Sequence, residues 1–142
     1  MGTEPDIVGQ SEYVEFPELD LLNVPARIDT GARTSTIWAS DISEENGHLS
    51  FVLFDKGCEL FNGRTFIFTE YETRSVKSSN GISEDRYMVK FLVRLGGRKI
   101  RARFTLANRS QQKYPVLIGR NVLRGKFIVD IKHNHVKVSK GR

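Results

Sequence analysis

The sequence is short of several things. It has one cysteine, Cys58, and three histidines among 142 residues. A single thiol excludes an internal disulfide framework and a four-cysteine zinc site. No apolar run comes near the roughly 18 residues that a membrane-spanning helix needs. The opening residues, MGTEPDIVGQ, have neither a basic start nor an apolar stretch, so they do not read as a secretory signal, and the cytoplasm is the expected location. There is no G-x-x-x-x-G-K-S/T loop to cradle nucleotide phosphates and no H-E-x-x-H to hold zinc. His133 and His135 would share one face of a strand and read as exposed residues rather than ligands, so neither a metal nor a cofactor is expected. No repeat, low-complexity tract or long linker divides the chain, and its length suits one domain over residues 1–142.

Acid is scarce too, but only late in the chain. Residues 1–26 hold six acids and no Lys or Arg, whereas residues 74–142 hold 18 basic residues and three acids. Residues 1–11 read as a poorly ordered acidic segment. The net charge is +5, and a field of that sign attracts nucleic acid, an anionic surface or an acidic peptide.

What is present is strand pattern. Short apolar or alternating runs punctuated by turn residues predict an all-β domain. Strands are expected near residues 13–16, 24–29, 49–54, 64–69, 73–77, 86–95, 98–106, 116–118 and 126–131, with a further one at 136–138. The clearest element is a hairpin around Gly96-Gly97, a two-residue loop suited to primed turns. It pairs Leu95 with Arg98, Val93 with Ile100, Phe91 with Ala102 and Val89 with Phe104, an apolar face apart from Arg98. The opposite face carries Lys90, Leu92 and Arg94 against Lys99, Arg101 and Arg103. That face is either a solvated exterior or an anion-binding surface. One short helix is expected at Arg120–Arg124, between Gly119 and Gly125.

Two segments carry chemistry. In the first, the run Val24–Ile28 delivers Asp29-Thr30-Gly31-Ala32. A carboxylate at a strand end, on a turn that only a small residue allows, is what an aspartic peptidase requires. Alone, D-T-G also suits an ordinary turn. The second segment is Tyr114-Pro115-Val116-Leu117-Ile118-Gly119-Arg120-Asn121-Val122-Leu123. Taken together, and in this order, the two resemble the retropepsin-like aspartic proteases, in which an I-G-R-N turn supports the active-site loop. The resemblance covers roughly residues 24–129. It is closer still to a bacterial group named ATP-dependent zinc proteases, through Arg27–Ser35, Arg74–Gly81 and Pro115–Asp130. It implies a retropepsin-like acid-protease β-barrel, a single lobe with one short helix after the Ile118-Gly119-Arg120 turn.

The resemblance also implies roles. Asp29 would be catalytic, and Thr30, Gly31, Ala32, Ile118, Gly119 and Arg120 would hold the active-site loop. An aspartic peptidase needs two carboxylates, one activating water and one protonated. A chain with one D-T-G must therefore work as a homodimer that pairs Asp29 across a two-fold axis. Segment 74–86 would be a lid hairpin, although its composition equally suits a plain surface hairpin. Viral retropepsins usually place an Asp after D-T-G-A, where it pairs with the Arg of G-R-N. Here that position is Arg33. Arg33 and Arg120 would then approach without an acid between them, and Arg74, Lys77, Ser78, Asn80, Gly81 and Arg86 would complete a basic substrate cleft for an acidic or glutamate-rich peptide. Alternatively, Arg33 pairs with Asp130 and has no substrate role. Two other functions compete: a non-catalytic interaction module, and a basic β-barrel binding nucleic acid. The second lacks stacking aromatics on its basic face, so nucleic acid is not the expected partner.

Overall fold

The computed structural model describes residues 4–77 and 80–136. Besides a single 3-10 turn at Pro17–Leu19, the described residues form strands and one short α-helix. They are β1 (Asp6–Val8), β2 (Ser11–Phe16), β3 (Leu21–Ile28), β4 (Ser35–Glu45), β5 (His48–Leu53), β6 (Thr65–Phe68), β7 (Glu72–Lys77), β8 (Ser83–Leu95), β9 (Arg98–Ala107), β10 (Val116–Ile118), α1 (Arg120–Leu123) and β11 (Phe127–Val129). The main sheet runs β10-β3-β2-β8-β9-β4-β5-β6, and β10 also pairs with β4, so the strands from β10 to β4 close into a ring. Inside it, alternate residues pack as the two-residue period of a strand dictates. Phe16, Phe91 and Phe104 meet at ring distances of 5.4–5.9 Å and are almost fully buried.

The β8–β9 hairpin has the expected register: Leu95 opposite Arg98, Val93 opposite Ile100, Phe91 opposite Ala102 and Val89 opposite Phe104. Gly96 takes the left-handed φ of 61° at the first turn position, as a II′ turn asks. Helix α1 also lies where expected, and Gly125 (φ 76°) follows its end in the left-handed conformation that helix ends favour.

Three sequence expectations differ. Residues 4–11 are not a disordered tail, since β1 pairs in parallel with β11 (Ile7 beside Ile128) and Arg98 grips Asp6 at 3.0 Å. The long strand β4 was not anticipated at all. Its residues Ser35-Thr36 look like loop, yet they are buried between β9 and β10 because their hydroxyls find partners: Thr36 bonds Thr105 at 2.8 Å. Finally, residues 131–135 are not strand, and positions 137–138 lie outside the described residues.

Candidate active site

Strand β3 ends at Ile28 and hands Asp29 to a tight turn. The Asp29 amide donates to the Ile118 carbonyl at 2.8 Å, tying the turn to the end of β10, which runs parallel beside β3. The Ala32 amide donates back to the Asp29 carbonyl at 3.2 Å, and the Gly31 amide donates to Asp29 Oδ1 at 2.9 Å. The carboxylate is thus fixed by its own loop while staying half-exposed. A Cβ at Gly31 would stand 3.3 Å from Asp29 Oδ1, which explains the glycine without appeal to positive φ. Thr30 is exposed at the tip of the turn.

The loop is held from behind by the second segment. Gly119 is buried so tightly that a Cβ there would meet the Thr34 carbonyl oxygen at 2.6 Å and that of Ala32 at 2.8 Å. The Arg120 amide donates to the Ala32 carbonyl (2.8 Å), and its guanidinium donates to the Thr30 carbonyl (3.1 Å). Two further supports escaped sequence reasoning. Ser35 Oγ accepts from the Gly119 amide (2.9 Å) and donates to Asn121 Oδ1 (2.8 Å), and Asn121 Nδ2 donates to the Arg103 carbonyl (2.8 Å). The clue was the Ser of D-T-G-A-R-T-S and the Asn of I-G-R-N, a buried hydroxyl and an exposed amide whose meeting only the fold reveals.

The surroundings are basic. Arg33 and Arg120 line one cavity of about 620 Å³, joined by Asn121, Arg124 and Lys126, and no acid lines it. Asp130 pairs with His133 at 3.4 Å rather than with Arg33. A second basic group was not read from the sequence. Arg109, between β9 and β10, is half-buried, and its Nε donates to the Tyr114 carbonyl at 2.9 Å. Burial, then the charges of Arg86 and Arg27, push its guanidinium below the usual range, while the Asp29 charge opposes them. Arg109 thus lies within electrostatic reach of Arg86, Arg27 and Asp29. The rest of the expected cleft lies on the β7–β8 hairpin. Arg74 sits directly across from Arg86 and Lys77 across from Ser83. Asn80 Oδ1 accepts from the Ile82 amide, and Gly81 has a φ of 87°. Ser78 lies outside the described residues.

Elsewhere part of the excess charge is offset. On the outer face of the β8–β9 hairpin, Arg94 faces Glu15 (3.9 Å), Arg101 pairs with Glu18 (2.7 Å) and Arg103 with Glu72 (2.7 Å). The hydrogen bond from Arg101 holds Glu18 below the usual carboxylate range, and that from Arg103 does the same for Glu72. Cys58 is partly buried, and that burial raises its thiol pKa, the reverse of what a nucleophile needs. Trp38 packs edge-on against Phe54 at 6.4 Å. The rings of His133 and His135 do stack on one face, but they pair with Asp130 and Glu12. Among the described residues no three His, Cys, Asp or Glu side chains converge as a zinc site requires. Nor, among the described residues, is any helix long and apolar enough to cross a membrane.

Known proteins match this arrangement. Residues 7–140 match the family described as RimB-like, retropepsin-like aspartic endopeptidase RimB. A probable alpha-L-glutamate ligase of Shewanella pealeana is 35% identical over 99% of this chain and 32% of its own length. One of Shewanella halifaxensis is 36% identical over 92% of this chain and 29% of its own. The chain thus spans about a third of the length of the curated relatives it matches. A crystal structure of a Legionella pneumophila protein of unknown function superposes with a TM-score of 0.65 at 26% identity, covering 92% of this chain and 96% of that one.

Proposed function

The chain belongs to the RimB-like family of retropepsin-like aspartic endopeptidases, and from that premise we propose that it hydrolyses peptide bonds in acidic, glutamate-rich peptides. The observation that carries this reading is the Asp29 turn itself: a half-exposed carboxylate on a backbone turn at a strand end, the turn tied by the Asp29 amide to the Ile118 carbonyl and backed by Gly119 and Arg120. Such a carboxylate can accept a proton from water as the nucleophile attacks. The second carboxylate comes from a second copy, whose Asp29 shares one proton with the first because two close carboxylates cannot both ionise. The exposure of Thr30 leaves the turn open to such a partner.

The substrate class follows from charge. Arg33, Arg120, Arg124 and Lys126 surround a cavity without an acid, beside the loop that bears Asp29. Guanidinium forks match carboxylates bidentately. That relatives named probable alpha-L-glutamate ligase contain a region like this one supports glutamate as the side chain read. The same relationship favours a second reading, in which the domain binds a glutamate-rich chain without cleaving it. Nucleic acid is the weaker partner, since three of the five cations on the hairpin face already hold glutamates. Incubating wild type and Asp29→Asn with a glutamate-rich peptide and its glutamine analogue, at low salt, separates the readings. Cleavage of the glutamate peptide by wild type alone is the expected result. Tight binding with no cleavage by either protein would leave the binding module.

A further inference from the structure

Three polar side chains from three elements meet where the core face of β8 runs out. Glu44 comes from β4, Tyr87 from β8 and Tyr71 from the turn between β6 and β7. The Tyr71 hydroxyl donates to Glu44 Oε2 at 2.5 Å, and the Tyr87 hydroxyl donates to Glu44 Oε1 at 3.1 Å. The two rings meet edge to face at 5.9 Å. Each oxygen of one carboxylate thus accepts a phenol, and among the described residues Glu44 has no ion pair. Alternation brings Tyr87 there: it has the parity of Val89, Phe91 and Val93, one step beyond them on the core face of β8. Glu44 arrives by another device. Ile37 and Ala39 are the buried residues of that part of β4, so strict alternation would turn Ser43, and not Glu44, toward the core. A β-bulge between Ser40 and Ser43, with Asp41 in the left-handed conformation (φ 49°), inserts one extra residue. Beyond it Glu44 stands opposite Leu49, a fully buried residue of β5, and so faces the core side of the sheet.

What this clasp holds is the root of the β7–β8 hairpin. Among the described strands β7 pairs with β8 alone, and β9 stops pairing with β8 at Met88. Residues 72–77 and 83–87 therefore form an arm that no further described strand carries. Its root is fixed on both faces. On the core face Tyr71 and Tyr87 are tied to Glu44, and on the outer face Glu72 pairs with Arg103 at 2.7 Å. The bond to Glu44 also keeps the donors protonated: it is the first cause that pushes Tyr71 up to about 12 and that raises Tyr87. We propose that Glu44 is a positioning residue: through the two phenols it fixes the angle at which the β7–β8 arm leaves the sheet, and so how the arm meets a bound peptide. The peptide rests on the peptidase reading above; the fixing of the arm rests on the hydrogen bonds alone.

The test follows amide hydrogen exchange in the full-length chain, which needs no substrate. Glu44→Ala removes the acceptor, and the double variant Tyr71→Phe/Tyr87→Phe removes both donors while keeping both rings. In each, the amides of residues 73–77 and 83–86 are expected to exchange about tenfold faster, the worth of a hydrogen bond to a charged group. Those of β2, β3 and β9 should keep their wild-type rates. Adding Glu44→Ala to the double variant should change little more, because all three side chains act through one contact. Glu44→Gln, whose amide oxygen still accepts, should recover part of the protection. Arm exchange at the wild-type rate in both variants, or acceleration spread equally over β2, β3 and β9, overturns the proposal. Cleavage separates it from the peptidase reading. Where wild type cleaves a glutamate-rich peptide, Tyr71→Phe/Tyr87→Phe should raise KM by about fivefold with a smaller change in kcat. An unchanged KM in a variant whose arm has loosened overturns the arm's part in meeting the peptide. No cleavage by wild type, with the arm loosened in both variants, would remove the peptidase reading and keep the clasp.

Discussion

Two basic regions of this molecule look alike in sequence and differ in the fold. The outer face of the β8–β9 hairpin carries Lys90, Arg94, Lys99, Arg101 and Arg103, and Glu15, Glu18 and Glu72 are laid against it. The cavity beside the loop that bears Asp29 carries Arg33, Arg120, Arg124 and Lys126. Among the described residues none of those four makes an ion pair. The acidic start of the chain is what distinguishes them. Asp6, Glu15, Glu18 and Asp20 each reach an arginine later in the sequence, at Arg98, Arg94, Arg101 and Arg64. The N-terminal acids thus neutralise the exterior and leave the positive field concentrated near the candidate catalytic turn, where an anionic substrate would feel it.

The largest expected effect comes from collapsing the site that the uncompensated cations surround. Gly119→Ala forces a methyl group onto the Thr34 and Ala32 carbonyls. A stability loss of about 2 to 4 kcal/mol in denaturant melts is expected, together with loss of any hydrolysis. Wild-type stability in that variant would mean that the turn is not held from behind as described. Next comes Arg33→Ala. It should raise the KM ratio of glutamate-rich to glutamine-rich peptide by about tenfold, the worth of a charge-assisted contact. The paired face should respond far less: Arg101→Gln should shift that same ratio by less than about twofold, because Arg101 is already committed to Glu18. Equal effects of Arg33→Ala and Arg101→Gln would erase the distinction between the two regions.

Acid sharpens the comparison from the other side. The folded carboxylates of Glu18 and Glu72 lie below their ordinary 4.5 because Arg101 and Arg103 bond them. A lowered folded value contributes stability above the unfolded value, and this is lost as pH falls through the folded one. The hairpin face should therefore release its glutamates only below about pH 4.5. Nuclear magnetic resonance titration of the Glu18 and Glu72 carboxyls checks the direction, and midpoints above 4.5 would contradict it. The smallest effect is chemical: partial burial and the raised thiol pKa should leave Cys58 slower than a free thiol toward an alkylating reagent in the folded protein. Alkylation at the rate of a small free thiol would contradict that.

Much of this was legible in sequence because it was local. The β8–β9 register follows from alternation around Gly96-Gly97, and the D-T-G-A and I-G-R-N segments announced the turn and its support. Strand β4 was not legible, since Ser35, Thr36 and Ser40 mimic a loop and are tolerated in a sheet only because Asn121, Thr105 and the Phe54 carbonyl receive their hydroxyls. Arg109 was missed for a different reason: its partial burial and its bond to the Tyr114 carbonyl belong to the fold and not to any local pattern. Strand β1 was missed because three residues of strand pattern are too few to stand out from an acidic tail.

The most direct test of the account is the cleavage of a glutamate-rich peptide by wild type and by Asp29→Asn, followed at low salt by mass spectrometry. The account predicts internal cleavage by wild type and a fall of about a thousandfold or more in Asp29→Asn, within the range that positioned acid–base groups supply. Cleavage that survives in Asp29→Asn would contradict it.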